Sequence, residues 1–165
     1  MSPSHCCATS SISDAINYHG RIVNTGYGDA YADIVGCWER IDFSEEAKKK
    51  INEIEPWPIR YQWYCFETDG TLYTYGSTDY TKQTSTSLRE MFKLVPKEIS
   101  YSFPQKGIIK TEHRSGKQTI IWASTFMGNT VSFDQKTIEK GTLIMALYDS
   151  QKNKPVYYRY LKRVP

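Results

Sequence analysis

From Arg60 to the C-terminus the chain is a succession of short apolar and aromatic runs, each broken by turn-forming residues. The clearest is "RYQWYCFETDGTLYTYGS", in which two strand-like runs flank Asp69-Gly70. Asp-Gly suits a two-residue type I′ turn, because both central positions require positive φ. The runs "EISYSF", "GIIKTEH", "TIIWAS", "TFMGNTVSF", "TLIMALYD" and "VYYRYLKRV" follow, with hairpin turns expected at Ser115-Gly116, at Gly128-Asn129 and ahead of Pro155. Strands this short at this spacing predict an all-β fold, and their hairpin order predicts an antiparallel up-and-down β-barrel of eight to nine strands. Two short helices interrupt it. Residues 44–55 have Ser44 as N-cap, Glu45 and Glu46 in the first turn, and Ala47, Ile51 and Ile54 at helical spacing before "PWP". Residues 86–94 form the second, capped by Ser85 or Thr86 and followed by Pro96.

Residues 1–30 are Ser-rich and without sustained period, and are read as a flexible tail ahead of one barrel domain over 31–165. The composition, 39% hydrophobic and 24% charged, belongs to the globular class. A net charge of +3 is too mild to demand nucleic acid or an anionic membrane as partner. The 13 Tyr suit pleated, half-buried surfaces with one wet end. No apolar run approaches the ~20 residues of a transmembrane helix.

A two-residue turn at Asp69-Gly70 places Tyr64, Phe66, Tyr73 and Tyr75 on one face of the first ribbon. The other face then carries Trp63, Cys65, Glu67, Leu72 and Thr74. The aromatic face is expected to point inward, since the other holds a charge. In the second hairpin Ile109, Thr111 and His113 share a face with Gln118, Ile120 and Trp122, opposite Lys110 and Glu112, and the same parity carries Ser124 and Phe126 inward. For the last two strands both faces contain Tyr and a basic residue, and the pattern does not choose. The candidate ligand-lining set is therefore Tyr64, Phe66, Tyr73, Tyr75, Ile109, Thr111, His113, Ile120, Trp122 and Phe126. Inward Tyr hydroxyls need partners, which favours a polar-lined cavity over a dry core.

The stretch "DIVGCWERIDF" opens the first strand, a helical segment follows, and then "FETDGTLYTY" and a meander ending in "YYRYLKRV". In this order the residues resemble the lipocalin-like small β-barrels of bacteria, within the calycin superfamily, over about residues 34–164. The resemblance implies that Trp38 plugs the closed end of the barrel beneath Arg159 or Arg163, with Gly36 leaving room for close approach. It also implies a non-enzymatic barrel that binds a small hydrophobic or aromatic ligand without a cofactor. Export is the expected location, periplasmic or lipid-anchored, with a cytoplasmic location as the alternative. Cys6 and Cys7 are read either as free thiols or as the site of that lipid anchor.

With Trp38 inward, Cys37 points outward, as does Cys65, and the two are either free thiols or a cross-strand disulfide. His113 has no carboxylate on its own face, and there is no nucleophile elbow, zinc-ligand spacing or phosphate-binding glycine loop. No catalytic or metal-ligating residue is assigned. A second reading is a filled barrel acting as a protein-interaction or inhibitor module. A third uses Lys152, Lys154, Arg159, Lys162 and Arg163 on single-stranded nucleic acid, and the inward segregation of the aromatics argues against it.

Overall fold

The computed structural model describes residues 33–53, 59–116, 118–149 and 151–165. The tail over 1–30, the cysteines Cys6 and Cys7, and the "PWP" stop lie outside the described residues. Strands β1 (Gly36–Arg40), β2 (Tyr61–Phe66), β3 (Thr71–Ser77), β4 (Ile99–Gln105), β5 (Ile108–His113), β6 (Thr119–Phe126), β9 (Leu143–Asp149) and β10 (Lys154–Arg163) close a barrel in the order β1-β10-β9-β6-β5-β4-β3-β2. Every pairing in it is antiparallel. Strands β7 (Val131–Phe133) and β8 (Lys136–Ile138) form a separate hairpin. The architecture is the expected all-β up-and-down barrel. Among the described residues no helix is long and apolar enough to cross a membrane.

Helix α1 (Glu45–Lys50) is shorter than expected, although Ser44 caps it by accepting from Ala47 N. Ala47 and Ile51 pack on the outer wall of the barrel with Ile144, Ala146, Tyr158 and Tyr160. Helix α2 (Ser85–Phe92) is capped one residue earlier than expected, by Thr84, in a reciprocal box with Ser87. It buries Leu88 and Phe92 against Cys37, Trp63 and Cys65, at ~1.5–3 kcal/mol of burial for each apolar side chain. The C-terminus is tied to this helix, since Ser85 donates through N to Pro165 O and through Oγ to Val164 O.

Three expectations are corrected by the register. The β2–β3 turn has three loop residues, Thr68, Asp69 and Gly70. Gly70 N donates to Glu67 O at 3.1 Å, Glu67 N donates to Thr71 O at 2.9 Å, and Gly70 has φ +85°. This is a type I turn with a left-handed glycine, and it pairs Phe66 with Leu72 instead of Tyr73. One residue of slip exchanges the faces of β3, so Leu72 and Thr74 point inward while Tyr73 and Tyr75 point outward. Secondly, Gly128-Asn129 is not a hairpin turn. The hairpin there is β7–β8, turning on Asp134 and Gln135 at φ 55° and 58°. Thirdly, β6 pairs directly with β9, and the β7–β8 hairpin lies against the outer cluster through Val131 and Ile138.

Asp69 accepts from Thr71 N and from Lys97 Nζ, which together hold its carboxyl down at about 2. Because the folded value lies below the unfolded one of roughly 3.9, this stabilisation is complete near neutrality and is lost as pH falls toward 2. Both partners are about half exposed, so the gain is below ~1 kcal/mol. Urea titrations at acid and neutral pH are expected to show a shallower acid slope for Asp69→Asn than for the wild type.

Candidate functional site

The barrel interior is divided into a filled floor and an open upper cavity. At the floor Trp38 is buried, and its Nε1 donates to Ile34 O at 2.8 Å. Arg163 lies directly opposite in register, and its guanidinium carbon sits 4.3 Å from the indole centroid. That guanidinium also donates to Val35 O and Asp33 O. Burial pulls the Arg163 pKa down, while the Asp33 charge acts against the shift. Gly36 is required here, since it has φ +129° and a Cβ would stand 2.7 Å from Arg163 Nη1. Gly36→Ala is expected to cost about 1–3 kcal/mol, measured by urea unfolding. Phe66, Ile109 and Phe126 pack around this floor, Phe126 with its centroid 6.1 Å from that of Trp38.

Above the floor lies a cavity of about 350 Å³. Its apolar and aromatic lining comes from Ile59, Leu72, Tyr75, Ile99, Ile120, Trp122, Met145 and Leu161. Its polar lining comes from Gln62, Tyr64, Thr74, Thr111, His113, Gln118 and Arg159. Several of these groups are held by one another. Trp122 Nε1 donates to Thr111 Oγ1 at 3.2 Å, Tyr64 OH donates to Gln62 Oε1, and Gln62 Nε2 donates to Ile59 O. His113 stands at the rim, with Nδ1 3.5 Å from Ser115 Oγ.

Of the ten residues expected to line a ligand site, Tyr64, Tyr75, Thr111, His113, Ile120 and Trp122 border the cavity. Phe66, Ile109 and Phe126 belong to the floor. Tyr73 is a correction: it stacks on Phe92 of α2 at 4.9 Å, outside the barrel. Tyr75 borders the cavity, while its ring stacks on Trp63 at 5.4 Å on the outer side. Arg159 is corrected likewise. It does not share the floor with Trp38 but lies buried in the cavity wall, 5.1 Å from the Tyr157 centroid.

Sequence reasoning missed Ile59, Gln62, Leu72, Thr74, Ile99, Met145 and Leu161. A three-residue turn was the signal for Leu72, the lone aliphatic residue of its strand. The faces of β9 and β10 carried no such signal.

Two further features frame the site. Cys37 and Cys65, directly paired across β1 and β2, form a disulfide beneath α2, on the outer side of the floor. Glu53, at the end of the α1 segment, accepts from Arg40 Nη2 at 3.1 Å, and both side chains are buried. Burial raises the Glu53 pKa, against the lowering influence of Arg40 and Arg159.

The basic residues near the C-terminus do not make one exposed surface. Arg159 is inside, Arg163 covers Trp38, and Lys162 pairs with Glu39 at 3.3 Å. Comparison with protein-family models, with curated proteins and with solved structures finds no match for this chain.

Proposed function

We propose that this chain is a lipocalin-like, non-enzymatic barrel that binds a small hydrophobic or aromatic molecule in its upper cavity. The observation that carries this reading is the cavity itself. At about 350 Å³ it falls within the roughly 300–1,000 Å³ of small-molecule sites, and it has the mainly apolar lining with a few fixed polar groups that such sites use. Trp38 beneath Arg163 supports the calycin kinship, as a closed floor under an open calyx. The buried Cys37–Cys65 bond supports export to an oxidising compartment, where such bonds persist.

Native mass spectrometry of protein from its own source is expected to retain a small molecule, and an apolar dye is expected to bind with a change in Trp122 emission. Ile120→Trp, which fills the cavity, is expected to weaken dye binding tenfold or more while changing stability by about 1–3 kcal/mol. Bare protein in repeated preparations, together with no dye uptake, would overturn the reading.

A further inference from the structure

The barrel wall is not hydrogen-bonded over its whole height. β3 pairs with β2 from Leu72 to Ser77, but with β4 only at Thr71↔Ser100 and Leu72↔Ile99. Below Ile99 the chain turns toward β5, where Glu98 O accepts from Arg114 N. Among the described residues no strand stands beside Thr74 and Gly76 on that side.

An antiparallel ladder directs alternate residues to each neighbour. Glu67 N donates to Thr71 O, and the same register continues through Cys65↔Tyr73 and Trp63↔Tyr75, so Tyr73 and Tyr75 direct their main chain to β2. The N–H and C=O groups of Thr74 and Gly76 therefore face the gap. Both residues are exposed, and both line the cavity. The gap is a slot into the calyx, with two donors and two acceptors along one lip.

Exposed edges are usually blunted by a charge, a proline or a bulge. "YTYGS", residues 73–77, has none of the three, and its pairing with β2 runs without a register shift. Donors and acceptors recurring every second residue match the main chain of another strand. We infer that this slot takes an extended peptide, which pairs with the Thr74–Gly76 edge and passes an apolar side chain into the cavity. This rests on the reading that the cavity accepts an apolar group, and it names a partner class for that site.

The test uses the full chain and a library of acetylated, amidated hexapeptides alternating Thr with Phe, Tyr, Leu or Val. At least one member is expected to bind saturably and to slow amide exchange at Thr74 and Gly76 tenfold or more. N-methylation of one alternate set of its amides is expected to weaken binding tenfold or more, and N-methylation of the other set is not. Thr74→Pro removes a donor that faces the slot and not β2, and should weaken the peptide similarly. The N-methylated peptides make the same test on unaltered protein.

Absence of any protecting peptide, or equal binding of both N-methylated forms, overturns the proposal. So does concentration-dependent protection of Thr74 and Gly76 without peptide, which would assign the edge to a second copy of this chain. Retained uptake of 1-anilinonaphthalene-8-sulfonate in those cases confines the failure to the peptide. Loss of dye uptake as well would remove the cavity reading.

Discussion

Replacing Cys37 and Cys65 together by alanine is expected to lower the free energy of unfolding by about 3–4 kcal/mol. The bond spans 28 residues of sequence, including α1, so its loss frees a long loop in the unfolded chain. That entropy gain is the larger part of the effect. The sulfurs also sit in a buried cluster with Trp63, Leu88, Phe92 and Val164, so alanine leaves a small void there. The urea midpoint should fall and the m-value rise, because an uncrosslinked unfolded chain exposes more surface. Reduction of the wild type in denaturant should reproduce the shift. A loss below ~1 kcal/mol would mean that the two strands hold this end of the barrel without the bond.

Glu53→Ala is expected to cost about 3–5 kcal/mol, because it leaves Arg40 buried without its carboxylate. The opposite charge matters here more than the contact area. Among the described residues Glu53 Oε2 is buried without a hydrogen-bond partner, and burial outweighs the two guanidiniums and raises the pKa. A carboxylate raised above its unfolded value of roughly 4.3 contributes stability that is fully present below that pH. That contribution is lost as pH rises through the folded value. Relative to Glu53→Gln, which does not titrate, the wild type should therefore lose stability on going from pH 4 upward. The double change Arg40→Met with Glu53→Leu should cost far less than Glu53→Ala, since neither charge is then stranded. Urea unfolding of the three variants across pH 4–8 measures both effects. A cost for Glu53→Ala under ~1 kcal/mol would show that water reaches Arg40.

Much of the expected lining was legible because the second hairpin is unambiguous. Lys110 and Glu112 can only face water, and Ser115-Gly116 sets a register in which Thr111 meets Ile120 and Ile109 meets Trp122. The first hairpin failed on one residue. Asp69-Gly70 is compatible with a two-residue turn and with a three-residue turn ending in a left-handed glycine. Both place strands on either side of it, but they give β3 opposite faces. The aromatic residues of β3 were expected inside because the opposite face of the ribbon holds a charge, Glu67. Both rings are half-buried on the outer side, Tyr73 against Phe92 of α2 and Tyr75 against Trp63, in an apolar cluster outside the barrel that no local pattern of β3 announces.

Local chemistry carried in the order of residues was enough for the class of fold, the barrel's antiparallel order and a first strand around Trp38, although that strand begins at Gly36 and not at Ile34, where the apolar run starts. Periodicity, turn residues and helix caps act over a few positions, and there the chain speaks for itself. Which arginine covers Trp38, which faces of β9 and β10 point inward, and where the wall stays open were decided only when the barrel closed. Those outcomes depend on register between strands distant in sequence. Trp38 meets Arg163 because β1 lies beside β10, and Arg159 enters the cavity because it stands four residues earlier on that strand. The slot at Thr74 and Gly76 exists because β3 runs on past the point where β4 begins. No short-range pattern encodes such a mismatch of lengths, because it becomes visible only when two strands are laid side by side.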